Sequence, residues 1–403
     1  MCDYTIYYKG VDISKATKIL SYKSYISLLY QMVFGNLYYK DITKNGPSSS
    51  VNMIYTFEDA MRADYDEIFN TLLAVLRKKS LDVNFIKLHR KFQFVFSFRI
   101  ACHFFSVLFS KYTDLGKGRI KNSLLIALAR ANVDQVTYYF NSSNQIVVTF
   151  CDAHFEDSII TQVSRNQSCT TVTLQHGQYH IINDDVPENH ALESLSSDYL
   201  LAWGRATKEE YDSKIGGETQ IVPLGICANS LVRGSDHRYS NINFSDVDIV
   251  VLLNADNCLK KNLDMINLIG DYCSNNGIYF SVKFHPRNVK RNYTNLLDSI
   301  DSFRKDVGSS SNTVFIVYTS GVLVKLLGQC KKLLLYSDID TPSIYSDHIP
   351  NFRSQKELAQ LINSIGSDSY RYAERMNRAK EFFIESDDIY ISYGNFFSKI
   401  IRG

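Results

Sequence analysis

TVFIVY (Thr313 to Tyr318), Thr319-Ser320-Gly321 and VLVKLLGQ (Val322 to Gln329) follow one another without a break. A β-branched run, a polar turn and an apolar helical pattern in that order predict a strand whose carboxyl end passes straight into a helix. The same unit recurs along the chain. Strands are predicted at 51–57, 82–88, 145–151, 170–174, 199–203, 248–253, 279–284 and 332–336, with helices at 57–78, 94–111, 119–131, 155–165, 207–214, 260–274, 293–300 and 355–365. Short β-branched runs alternating with helices imply parallel sheets covered on both faces, an α/β fold.

The chain has 403 residues, too many for one ordinary core and suited to two domains of about 150 to 200 residues. The polar, patternless stretch 228–246 is the best linker. It divides the chain into a domain over 1–232 and a domain over 233–403, with the final helix free to cross back to the first. Two such halves predict a cleft between the carboxyl edges of two sheets. No fixed-period repeat or low-complexity tract is visible.

Around that expected cleft, one segment reads as a polyanion site. In Ser281-Val282-Lys283-Phe284-His285-Pro286-Arg287-Asn288, three cationic or donor residues alternate with apolar ones, so an extended backbone sends them to one side. Pro286 lacks an N–H and ends the ladder there. The same pattern also fits a solvated basic strand end. Thr319 and Ser320 precede a helix, where hydroxyls and backbone N–H groups attract anions, although Ser320 would serve equally as an ordinary N-cap. His176, in Gln175-His176-Gly177-Gln178 after a strand, suits a general base near neutral pH, with Gly177 easing the turn; a packed turn histidine reads the same way. Asn254-Ala255-Asp256-Asn257 could cap the next helix or touch ligand.

These elements in this order resemble a family. His176-Gly177 after a strand, SDYLLAWGRATKEEY leading to VPLG, a linker, Lys283-x-His285-Pro286, and a strand ending in Thr319-Ser320 before GVLVKLLGQCKKLLLY are similar to GT-B glycosyltransferases of bacterial surface-polysaccharide synthesis, over about residues 145 to 365. Capsule sialyltransferases, capsule Kdo transferases and teichoic-acid glycerophosphotransferases are the nearest in pattern. The resemblance implies two Rossmann-like domains, an N-terminal one for the acceptor and a C-terminal one for a nucleotide-sugar donor. It puts Lys283, His285, Arg287, Thr319 and Ser320 on the donor phosphate and His176 at the reacting centre. The acidic-acidic-Gly element of some sialyltransferases is missing at Asn183-Asp184-Asp185-Val186, as is the two-glutamate motif of many retaining enzymes. The expectation is therefore inversion with His176 as base, and Asp152, His154, Asp184 and Asp185 as the next candidates. A CDP-polyol phosphotransferase, a nucleotide-sugar epimerase and a non-catalytic membrane-associated scaffold are the alternatives.

Composition sets the remaining bounds. An apolar share of 45% with 21% charged residues belongs to a globular chain. Eight cysteines show no CxxC pair or zinc-like spacing, so they read as reduced, mostly packed thiols, and neither a metal nor another cofactor is expected. Net charge is +2, yet residues 1–130 hold 19 Lys+Arg against 10 Asp+Glu, which leaves a negative remainder. The aromatic segment Phe94 to Ser110, flanked by Lys87, Arg90, Lys91 and Lys111, fits either an anionic lipid surface or a buried helix. No nucleic-acid motif accompanies the charge. MCDYTIYYKG has no apolar signal core, and no run has the ~18 apolar residues of a membrane span. The chain is expected in the cytoplasm, at the inner face of the cell membrane, acting on a lipid-linked capsule or lipopolysaccharide glycan.

Overall fold

The computed structural model describes residues 5–21, 24–34, 50–56, 63–88, 94–110, 118–139, 145–181, 189–228, 248–286, 288–305, 312–329, 331–386 and 388–402. The expected linker lies outside them apart from Ala228, and so do Arg287, Asp184 and Asp185. Internal contacts separate two units. The first comprises Met1–Trp203, Thr207–Ala228 and Asp388–Gly403, and the second comprises Gly204–Ala206 and Asn229–Asp387.

In the first unit an antiparallel pair, β1 (Tyr7–Tyr8) and β2 (Val11–Asp12), leads into α1 (Ile13–Ser21) and α2 (Tyr25–Phe34). The main sheet contains β3 (Val51–Tyr55), β4 (Val83–Lys87), β5 (Ile146–Thr149), β6 (Thr170–Leu174), β7 (Tyr199–Ala202) and β8 (Gln220–Pro223). All pair in parallel, in the order β4-β3-β5-β6-β7-β8. Every residue of β3 and β5 is buried, as a strand covered on both faces requires. Pro223 ends the edge strand β8, where its missing N–H leaves no central ladder broken.

Helices α3 (Ala63–Lys78), α4 (Phe94–Leu108), α5 (Arg119–Tyr139) and α6 (Phe155–Asn166) cover this sheet together with α1. Leu124, Leu128, Val133 and Val136 of α5 meet Ile159, Ile160 and Val163 of α6 in one apolar cluster that reaches Ile54 and Val147 of the sheet. Each such side chain, fully buried, contributes about 1.5 to 3 kcal/mol. Helix α4 is neither wholly buried nor wholly open. Ile100 and Val107 enter the cluster, while Phe98 and Phe105, with Phe109 just beyond, are exposed. Short α7 (His190–Glu193) and α8 (Arg205–Lys214) follow.

The second unit has β9 (Asp248–Leu252), β10 (Tyr279–Lys283), β11 (Thr313–Val317), β12 (Lys332–Tyr336) and β13 (Asn351–Phe352), parallel in the order β10-β9-β11-β12-β13. Its helices are α9 (Leu259–Asn276), α10 (Arg291–Asp298), α11 (Val322–Gly328), α12 (Ser343–Ser346), α13 (Gln355–Ser367) and α14 (Ser369–Phe383). Gly277 ends α9 in the left-handed region, with its N–H on the Cys273 carbonyl. The last helix, α15 (Ile389–Arg402), belongs to the first unit. There Tyr393 donates its hydroxyl to the Gly225 carbonyl at 2.9 Å and Ser392 donates to Leu224 at 2.7 Å.

Candidate functional site

In the second sheet Leu252 of β9 pairs with Lys283 of β10 on one side and with Val317 of β11 on the other. The chain therefore builds outward from β9 in one direction and then in the other, and the loops leaving all three carboxyl ends lie side by side. A reversal of strand order of this kind is where open α/β sheets take ligands. The structure brings Lys283, His285, Thr319 and Ser320 to this one edge. Lys283 is exposed, and the other three are half-buried. Lys261 of α9 is engaged by Asp338, which also accepts from the Tyr318 hydroxyl at 3.2 Å, and by Asp340 at 2.6 Å. Burial alone would raise the Asp338 carboxyl, but Lys261 and the Thr341 hydroxyl hold it below its ordinary value.

What fixes these loops is a polar network of which the sequence pointed only to Asn254 and Asp256. Asn254 donates from Nδ2 to the Thr319 carbonyl at 2.7 Å, tying the β9 loop to the β11 loop. Its backbone is held in turn by Asn262 of α9, which accepts from Asn254 N at 3.1 Å and donates to Asn254 O at 2.8 Å. Asn262 also donates to the Tyr293 hydroxyl at 3.0 Å, and that hydroxyl donates to Asp256 at 2.7 Å. Asp256 accepts from the Val289 N–H at 2.8 Å as well, so it clamps the segment just after His285. The Val289 N–H and then Tyr293 hold the Asp256 carboxyl below its ordinary value. The available signal was Asn262, an amide on the buried face of an otherwise apolar helix stripe.

Two local expectations change. The alternation of Lys283, His285 and Arg287 assumed an extended backbone, yet β10 ends at Lys283 and a turn closes from Asn288 N–H onto the His285 carbonyl at 2.9 Å. Pro286 sits second in that turn, where its fixed φ is favourable. At the other loop Gly321 is the N-cap of α11. The Val322 N–H goes to Ser320 Oγ at 3.4 Å and the Leu323 N–H to the Ser320 carbonyl at 2.9 Å, so those two donors are already committed within the turn.

In the first unit His176 follows β6 and is half-buried. Its loop is anchored by the buried Gln175 side chain, which accepts from Trp203 N–H at 2.7 Å and Thr207 Oγ1 at 3.0 Å and donates to Gly177 O at 2.7 Å. Rings of Phe150, Tyr65 and Tyr179 surround the imidazole at centroid distances of 5.0, 5.3 and 5.5 Å. The Tyr179 hydroxyl lies 2.8 Å from His176 Nδ1 and 3.8 Å from Cys151 Sγ. Burial pushes that hydroxyl well above its ordinary value, so it stays protonated. Gly177 is not demanded by the turn, because its φ is not positive and a Cβ there would meet nothing within 4 Å. Anchoring falls to Gln175 instead.

The alternative bases differ in availability. Asp152 is buried and accepts from Ser196 N, Ser197 N and Thr161 Oγ1, an engaged structural role. His154 is the N-cap residue of α6, 3.9 Å from the buried Asp157 carboxylate. Of the described cysteines Cys151, Cys169, Cys227 and Cys273 are buried thiols, Cys258 is half-buried and Cys102 is exposed. Cys2 and Cys330 lie outside the described residues.

By sequence the chain matches neither a family model nor a curated protein. Solved structures are similar in fold. A UDP-GlcNAc 2-epimerase from Methanocaldococcus jannaschii superposes with a TM-score of 0.51 at 13% identity, over 88% of this chain and 99% of its own. MnaA of S. aureus with UDP gives 0.51 at 9% identity, over 88% and 97%. The lipopolysaccharide outer core galactosyltransferase WaaB, in apo form, gives 0.51 at 10%, over 87% and 99%. This chain has a GT-B fold. Its two GT-B halves are Rossmann-like, as the strand orders already indicate. Among the described residues no helix is long and apolar enough to cross a membrane.

Proposed function

We propose that this GT-B protein is a glycosyltransferase that moves a sugar from a nucleotide-sugar donor to a surface-polysaccharide acceptor, with inversion and without a divalent metal on the donor phosphate. The observation that carries the reading is the gathering of Lys283, His285, Thr319 and Ser320 at one strand-order reversal, on loops locked by Asn254, Asn262, Tyr293 and Asp256. Departure of the nucleotide leaves negative charge on phosphate oxygens, and fixed donors stabilise such charge best. Arg287 joins that set by sequence. His176, held by Tyr179 and the surrounding rings, takes the proton of the acceptor hydroxyl as the sugar is attacked from the face opposite the leaving nucleotide. The UDP and UDP-sugar proteins of the same fold support a nucleotide-sugar donor. The epimerase among them keeps a second reading open, interconversion of the donor sugar without an acceptor.

A thermal-shift panel of CMP, CDP, UDP and their sugar conjugates, with GDP-sugars, tests the donor. A ligand at 100 times its dissociation constant stabilises by about 2.7 kcal/mol, and no shift with any nucleotide removes this reading. Product analysis then separates transfer to an acceptor from epimerisation of the free donor.

We assign the exposed rings of Phe98, Phe105 and Phe109, with the basic excess of residues 1–130, to the inner surface of the cell membrane, where a lipid-linked acceptor resides. The protein should sediment with anionic vesicles at low salt and be released as salt rises, since charges are screened over about 8 to 10 Å at physiological ionic strength. Failure to bind at low salt removes the membrane assignment and leaves the donor site untouched.

A further inference from the structure

We propose that Cys151, His154 and His176 form a binding site for a zinc-class divalent ion. The sulfur and one ring nitrogen of each histidine lie within 4.8 Å of one another. An ion centred in a triangle that wide is about 2.8 Å from each corner, so side-chain shifts of about 0.5 Å for the sulfur and about 0.7 to 0.8 Å for the nitrogens bring all three to zinc bonding distances of about 2.0 to 2.3 Å. One thiolate and two imidazoles favour zinc and its neighbours over magnesium or calcium, which seek oxygen.

The fold holds the three ligands in place. Cys151 and His154 lie between β5 and α6, and His176 follows β6, the strand paired in register with β5. Around them stand groups of the kind that orient metal-bound imidazoles. The Tyr179 hydroxyl is 2.8 Å from His176 Nδ1, and the Asp157 carboxylate is 3.9 Å from His154 Nδ1. Asp157 is itself fully buried and fixed by the Thr56 hydroxyl at 2.8 Å and the Cys151 N–H at 3.1 Å. The sulfur is buried and both imidazoles are half-buried, which closes the thiol side and leaves the imidazole side accessible. Three protein ligands leave a fourth position for water. Binding replaces the S–H bond of Cys151 by a sulfur–metal bond and releases the proton to solvent.

The site goes beyond the transfer reading and stands without it. If that reading also holds, ion and acceptor proton compete for one imidazole, and an occupied site lowers transfer.

The test is a cobalt(II) titration of metal-free full-length protein, cobalt being a coloured stand-in for zinc. We expect a thiolate-to-cobalt charge-transfer band that saturates at one ion per chain and is bleached by zinc. His154→Gln should weaken cobalt binding at least about tenfold, and Cys151→Ser should remove the band. Because Cys151 is a core residue, circular dichroism checks both variants, and the half-buried His154 gives the decisive titration. Absence of the band, its persistence in Cys151→Ser, or unchanged affinity in folded His154→Gln overturns the site. No donor or acceptor is present, so these outcomes are independent of the transferase reading.

Discussion

At the ends of β5 and β6 the side chains themselves are held. His176 is packed among Phe150, Tyr65 and Tyr179, and the neighbouring carboxylates Asp152 and Asp157 are buried and engaged. At the ends of β9, β10 and β11 the backbone is held, and the side chains of Lys283, His285, Thr319 and Ser320 stay at least partly open. Proton transfer depends on the placement of one nitrogen, which packing secures, whereas recognition of a phosphate needs donors on a firm frame with room for a charged guest. On the proposed reading, chemistry falls to the first edge and binding to the second.

The largest effect should come from His176→Ala. Transfer should fall by about a hundred-fold or more while donor affinity, measured by calorimetry, changes little. Near-normal turnover would break the comparison on its chemical side and move the base to His154, Asp184 or Asp185. His285→Ala should do the reverse, weakening donor binding by about 1.5 to 3 kcal/mol in a protein that still melts as one folded species. Unchanged affinity there would leave the second edge without its proposed role.

Asp134 of α5 bears on the contrast, since it shows how the first unit matches half-buried charge. Burial pushes its carboxyl up, but hydrogen bonds from His103, Lys9 and Tyr8 outweigh that and hold it below its ordinary range. A folded value below the unfolded one of about 3.9 means stabilisation that is present above about pH 4 and lost as pH falls through the folded value. Asp134→Asn should therefore cost about 1 to 3 kcal/mol at neutral pH by denaturant titration, with the difference narrowing in acid. A constant difference down to acid pH would mean that packing, not charge, is what the substitution removes. The smallest expected change is in transfer by metal-free protein. Excess EDTA should leave its rate undiminished if, as proposed, the cationic edge takes the place of magnesium or manganese. Loss on chelation, restored by either ion, would show that the second edge works through a metal.

Much of the second edge was legible because its parts are local. Lys283, His285, Thr319 and Ser320 lie within a few residues of the strands TVFIVY and YFSVKF, the first an uninterrupted β-branched and aromatic run that announces a buried parallel strand. Helix α14 was legible but unread: Tyr372, Met376, Ala379 and Phe383 are buried at helical spacing within an otherwise polar run. The Cys151-x-x-His154 pair is a weak local signal, because two ligands alone do not mark a metal site. Its third member, His176, comes from the next βα unit.

The α/β class, the two-half plan and the strand ends that carry donors are written locally in the chain, since hydrophobic period and turn chemistry are encoded over a few neighbouring residues. Tertiary structure decided which strand ends stand together. It set Leu252 beside both Lys283 and Val317, joined Asn254 to Asn262, Tyr293 and Asp256, and drew Cys151, His154 and His176 into one cluster. Strand order and register are fixed by packing between segments far apart in the chain, and no local pattern records which parallel neighbour a buried strand will choose.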